Sequence, residues 1–166
     1  MSFKIFIDTE FTDFIDIHLI SIGMVAQSGE AFYAEVPYPD GSCSAFVRET
    51  VIPLLGRIPN APCAAEDLSV KMTTWLRIVR PLEEGVEICF DYQSDWDLFS
   101  SALDYRVPPW CQARMVNRDI NELRRYKFHK DNNLPEHHAL YDAQANRYAF
   151  RAVSYTHLTL PTNREV

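Results

Sequence analysis

A largely apolar run, Phe3 to Ile7, ends on Asp8, Thr9 and Glu10. A strand bound for a core that stops on two carboxylates one residue apart has two explanations. It is a strand end reaching solvent, since acidic residues mostly sit exposed. Alternatively, both carboxylates turn inward and converge on a divalent cation such as Mg²⁺, which prefers hard oxygen ligands. The rest of the chain has to decide between them.

The pattern that follows points to a layered α/β domain. Residues 18–26, "HLISIGMVA", read as a second strand. "QSGE" is a turn signal, and "AFYAEV" returns as a third strand, giving an antiparallel hairpin. A short helix is expected from about Ala45 to Leu55, disturbed by Pro53. Leu68, Met72, Trp75, Leu76 and Val79 recur at helical spacing from Glu66 to Arg80, and Pro81 marks the stop. "VEICF", 86–90, is a short strand, and a helix follows with Trp96, Phe99 and Leu103 on one face. "ARMV" reads as a fifth strand, 117–126 as a helix and "KFHKDNNLPE" as a polar loop. Residues 138–153 read as a last helix that buries Ala139, Ala143, Phe150 and Val153. A mixed sheet packed by helices accommodates this order.

The organisation is that of one domain over 1–153. The final stretch, "SYTHLTLPTNREV" (154–166), lacks periodicity and resembles the translation of a sequencing adapter. It is set aside as a non-native or disordered tail. No apolar run approaches the roughly 20 residues that cross a bilayer, and no signal-peptide pattern opens the chain. Four cysteines with no C-x-x-C spacing argue against a zinc ribbon or redox pair, and reduced thiols in the cytoplasm are the simple expectation. A net charge of −7 argues against broad duplex binding through phosphate neutralisation. Between Arg114 and Lys130, however, six basic residues stand against two acids. That stretch is either a solvated helix and loop or a local phosphate-facing patch, with Arg114 and Arg118 as candidate contacts.

Further acids follow the fourth strand: Asp91, Asp95 and Asp97. Asp95 sits where a strand yields to a helix and has the simple alternative of capping it. Asp142 falls in "HHALYDA" (137–143), in an early helical turn that favours acids through the helix dipole. Singly, none decides anything. In order, D-x-E, a central Asp and His-x-x-x-x-Asp form a set, and the chain resembles the DEDDh family of 3′-to-5′ exonucleases. The resemblance spans residues 4–150 and is nearest to the small stand-alone exoribonucleases of the mycobacterial type. It implies a ribonuclease H-like fold: a five-stranded mixed sheet, strands 1–3 antiparallel, with helices on both faces.

The resemblance also implies a chemistry. Two Mg²⁺ or Mn²⁺ ions would be held by Asp8, Glu10, Asp95 and Asp142, with Asp8 bridging and His137 as general base. The substrate would be single-stranded RNA or a 3′ overhang, with DNA as an alternative, and the product a nucleoside 5′-monophosphate. A homodimer is a further expectation. A catalytically idle domain that binds nucleic acid or protein is the competing class, and the intact acid set argues against it. Phe11, next to Glu10, is a candidate for stacking the terminal base or a core residue, and Phe14 is a second candidate. Asp91 and Asp97 are read as surface or local hydrogen-bonding groups, and His18 and His129 as ordinary residues. One tension remains inside "HHALYDA". Helical spacing favours His138, four residues before Asp142, whereas the family pattern selects His137. The two agree if the helix begins at or after His137, as Pro135 just upstream makes reasonable.

Overall fold

The computed structural model describes residues 2–151. Five strands form one sheet: β1 (Phe3–Phe11), β2 (Leu19–Ala26), β3 (Ala31–Glu35), β4 (Val86–Phe90) and β5 (Cys111–Met115). Their order is β3-β2-β1-β4-β5. The pairs β1–β2 and β2–β3 are antiparallel, and β1–β4 and β4–β5 are parallel. Five α-helices complete the domain: α1 (Ala45–Thr50), α2 (Ala65–Val79), α3 (Gln93–Ala102), α4 (Glu122–Asp131) and α5 (Ala139–Ala149). The architecture expected from the sequence, with β1 central, is the one observed.

Strand alternation divides the core into two layers. Ile5 and Ile7 of β1 join Leu68, Met72 and Leu76 of α2 and Phe99 of α3 on one face. Phe6 joins Cys89, Val116 and Ala149 on the other, and Val25 of β2 joins Leu140 and Ala143 of α5 there. The strand does not stop at Ile7, however. It pairs with β2 through Phe11, with Asp8 opposite Gly23 and Glu10 opposite Ser21. Asp8 and Glu10 therefore lie within a strand, and the period of two puts both on the Phe6 side, where α5 packs. The open question about D-x-E is answered by pleating: both carboxylates share one face and are carried by a buried central strand.

Gly23 matters to that arrangement. A Cβ there would lie 2.6 Å from the backbone of Ala139 and Leu140, so only a glycine lets the start of α5 approach β2 this closely.

Besides β1, several boundaries differ from the sequence reading: α1 ends at Thr50 rather than Leu55, β5 begins at Cys111 rather than Ala113, and α4 and α5 shift most. α4 begins at Glu122, not Asn117, because Asn121 caps it by accepting from the Arg124 N–H, and Ile120 instead bridges Phe150. Its last turn takes up part of the stretch read as a polar loop. α5 ends at Ala149, and Phe150 leaves the helix to pack on Phe6, with ring centroids 5.4 Å apart. Val153 and residues 154–166 lie outside the described residues. Among the described residues no helix is long and apolar enough to cross a membrane.

Candidate active site

Four elements deliver side chains to one cleft of about 590 Å³. β1 supplies Asp8 and Glu10, the end of β4 supplies Asp91, α3 supplies Asp95, and α5 with the turn before it supplies Asp142 and His137. Ligand-capable atoms gather there in two groups, Asp8–Asp91–Asp95 and Glu10–His137–Asp142, each within 4.8 Å. All five residues read as catalytic from the sequence are thus brought together.

Asp95, Asp91 and Asp142 each have at least one oxygen anchored. Asp95, only 2% exposed, accepts from the Thr9 N–H at 3.1 Å and the Thr9 hydroxyl at 2.6 Å through Oδ1, while its Oδ2 is buried without a hydrogen-bond partner among the described residues. It stands in the first turn of α3, inside the helix rather than at its cap. Asp8 Oδ2 and Asp91 Oδ1 are buried and unpartnered in the same sense. Asp142 Oδ2 accepts the His137 N–H at 3.1 Å, and its Oδ1 lies 3.4 Å from Nε2 of His129.

The two adjacent histidines have different fates. α5 begins at Ala139 with His138 as its N-cap residue, so His137 stands before the helix, as the family register requires. Its backbone is left-handed, φ 68°, an uncommon conformation for a non-glycine residue and one that persists only when the surroundings enforce it. The N–H to Asp142 and the Phe46 ring, edge-on at 5.0 Å, supply that enforcement. His138 is 1% exposed and lies between Tyr33 and Tyr141, with centroids at 4.6 and 3.9 Å. Burial pulls its pKa down to about 4, so it packs as a neutral ring.

Two residues read as unremarkable belong to the cleft. Asp91 is not a surface group: it joins Asp8 and Asp95, and it accepts from Arg125 Nη1 at 2.9 Å. His129 is buried, with Nδ1 3.0 Å from the Leu134 carbonyl and Nε2 toward Asp142. Both lay in the sequence without a motif of their own. The i,i+4 spacing of Arg125 and His129 on one helix face is the available signal, hidden because the sequence reading ends this helix at residue 126, whereas α4 runs on to Asp131.

The basic stretch does not converge on the cleft as a patch. Arg114 pairs with Glu87 at 2.9 Å and with Asp119, and it lies over the Phe150 ring. Arg118 is exposed in the turn before α4. Neither lines the cleft, whereas Phe11 does, packed edge-on against Phe14 at 5.1 Å.

The cleft is lined by seven acids but, among basic side chains, only Arg125, His129 and His137 of the described residues. Burial first, then Asp95, Asp142 and Glu10 in turn, holds the Asp8 carboxyl well above the usual range. Glu10 is pushed up to about 9 by burial, with Asp142 and Asp95 adding to it. Burial also lifts Asp95 to about 7 against the opposing hydrogen bond from Thr9, and Asp142 to about 7 against the one from His137. Crowded, desolvated carboxylates resist ionising together unless a counter-charge arrives. Hard oxygen donors, unpartnered buried oxygens and excess negative charge fit divalent cations of the Mg²⁺ or Mn²⁺ kind.

No protein-family model matches the chain, and no curated protein matches it. Solved structures do. The nuclease domain of 3′hExo, a DEDDh family member, bound to rAMP, superposes with a TM-score of 0.56 at 12% identity, over 88% of each chain. A full-length 3′-exonuclease gives 0.53 at 13%, over 88% of this chain and 78% of that one. A 3′-exonuclease in a structure of 3′-end recognition of a histone mRNA stem-loop gives 0.52 at 11%, over 88% and 61%. At these identities the likeness is one of backbone, and it establishes that the chain has the ribonuclease H-like fold, a mixed five-stranded sheet between helices.

Proposed function

We propose that the protein is a metal-dependent 3′-to-5′ exonuclease of the DEDDh type, acting on single-stranded RNA or a 3′ overhang and releasing nucleoside 5′-monophosphates. The observation that carries this reading is the pair of ligand groups, Asp8–Asp91–Asp95 and Glu10–His137–Asp142, facing one cleft. Asp8, Glu10 and Asp142 would hold one cation, and Asp8 and Asp95 the other. Cations so bound would lower the pKa of an attacking water and neutralise charge at the leaving oxygen.

The chain's own residues would do the rest. Thr9 clamps one oxygen of Asp95, which fixes the direction of the other. His137, on its enforced turn beside Glu10 and Asp142, would accept the proton of the attacking water at a ring nitrogen. Asp142 steadies that turn through the His137 N–H. Phe11 and Phe14 flank the acids and would take the terminal base by stacking. The neighbours recorded with rAMP and with an mRNA stem-loop favour RNA for this chain as well. With this reading go a cytoplasmic location, the mycobacterial type and a homodimer, the last to be looked for by sedimentation.

The test is digestion of matched 5′-labelled RNA and DNA oligonucleotides with Mg²⁺, Mn²⁺ or EDTA. A descending ladder on RNA, abolished by EDTA, with 5′-monophosphate as product, is expected. Binding without cleavage on either polymer would leave only the idle domain, and a faster ladder on DNA would reverse the substrate.

A further inference from the structure

Three acids of the cleft lie outside the sequence motifs, and of these Asp91 alone falls in a ligand group among the described residues. We propose that Asp91 is a fifth metal-ligating carboxylate, sharing a divalent cation with Asp8 and Asp95 and aimed by Arg125. This rests on the reading of the cleft as a cation-dependent phosphodiesterase centre.

The argument lies in how the two oxygens of Asp91 are used. Oδ2 accepts from Arg125 Nη1 at 2.9 Å, and Oδ1 is buried with no partner among the described residues. An acid present only to neutralise an arginine tends to meet it with both oxygens, as a fork on a fork. Here Arg125 turns its other terminal nitrogen to Glu122 and shares Nη1 with Asn146 Oδ1 at 3.0 Å. The guanidinium is therefore fixed from three sides, and Asp91 is fixed by it. Asp91 offers a carboxylate oxygen to the group formed with Asp8 and Asp95, whose ligand atoms lie within 4.8 Å of one another. Asp95, 2% exposed, also has an unpartnered buried Oδ2, and so does Asp8. Three elements thus bring to one place three carboxylates, each with one bare, buried oxygen. Unpaired buried charge is costly, and a hard cation satisfies all three at once.

The experiment is Mn²⁺ titration of the metal-free full chain without nucleic acid, followed by EPR of free Mn²⁺ and by thermal unfolding. Asp91→Asn keeps an oxygen for Arg125 and removes the charge. It should weaken one bound ion by about tenfold or more, on the scale seen when metal-site partners are lost, with the metal-free Tm at or above wild type. Asp97→Asn, whose carboxylate meets Gln93 at the surface, should bind as wild type. Arg125→Gln keeps the three acids but frees Asp91, and should weaken the same ion by a smaller factor. Unchanged Mn²⁺ affinity in Asp91→Asn, with or without a drop in metal-free Tm, assigns Asp91 a structural role and overturns the inference. No Mn²⁺ binding by the wild type overturns the reading of the cleft, and the inference with it.

Discussion

The two halves of the cleft are built differently. Asp8, Asp91 and Asp95 sit on a central strand, at the end of its parallel neighbour and inside a helix, and Arg125 and Thr9 lock one oxygen of Asp91 and of Asp95. Glu10, His137 and Asp142 are less enclosed, and the histidine rides on a turn with φ 68° rather than on a regular element. One half is a rigid set of oxygens suited to holding charge still. The other contains His137, which in the proposed reaction would accept a proton and let it go. Rigid ligation and proton transfer place different demands on backbone, and the fold meets them by setting regular structure against an enforced turn.

The sharpest way to break this comparison is Asp8→Asn. Asp8 belongs to the first half but feels acids of both, and in the proposed site both cations would use it; neutralising it should cost at least about a thousandfold in turnover, roughly 4 kcal/mol of transition-state stabilisation, with the fold retained. More than about a tenth of wild-type turnover, a deficit under 1.4 kcal/mol, would mean that the halves do not share a ligand. Asp95→Asn should follow it closely.

His137→Ala should cost about a hundredfold or more in turnover, the scale of a lost general base, with Mn²⁺ affinity largely kept. His138→Ala should retain turnover per folded molecule and lose stability instead, since it removes a ring held between Tyr33 and Tyr141. Steady-state rates and melting curves of both variants on one RNA oligomer separate the roles. A greater rate loss at His138 would place the proton acceptor on the wrong side of the turn.

What the sequence disclosed and what it hid follow the same division. The succession of strands and α2 was legible because periodicity is local, and the candidate set of D-x-E, Asp95 and His137–Asp142 because its order along the chain resembles the DEDDh pattern. That β1 runs on through Glu10 was hidden, because its carboxylates look like a boundary until a partner strand and α5 cover them. α4 was misplaced because its exposed face carries charge rather than an apolar stripe, and with it went the inward pair Arg125 and His129. Asp91 was passed over because only tertiary packing gives it a cation on one oxygen and leaves the other bare.

Gly23→Ala tests whether the halves depend on their spacing. The added methyl meets backbone of Ala139 and Leu140 and has to push α5, with Asp142, away from β1. Displacements near 1 Å can cost up to about a hundredfold, so a loss of about ten- to a hundredfold is expected. Overpacking should also lower stability by about 1–3 kcal/mol. Mn²⁺ binding at the Asp8–Asp95 side should survive. Full activity in this variant would mean that α5 is not what sets the second half.

The smallest effect concerns pH, read as thermal stability in EDTA. The folded-state pKa values of Glu10, Asp95 and Asp142 are raised to about 9, 7 and 7. In the unfolded chain these groups titrate near 4. Below that point both states are protonated and the site carries no penalty. Above it the unfolded chain releases protons first, the folded state binds more, and stability falls as pH rises. The fall attributable to Asp95 should be complete near pH 7, and that of Glu10 should continue to about 9. Asp95→Asn should therefore flatten the lower part of the curve and Glu10→Gln the upper part. Mn²⁺ should raise Tm by an increment that grows with pH, because the cation favours the ionised acids. A Tm in EDTA that climbs between pH 5 and 8, unaltered by either substitution, would show that the carboxylates are not held against ionisation and would remove the electrostatic distinction between the halves.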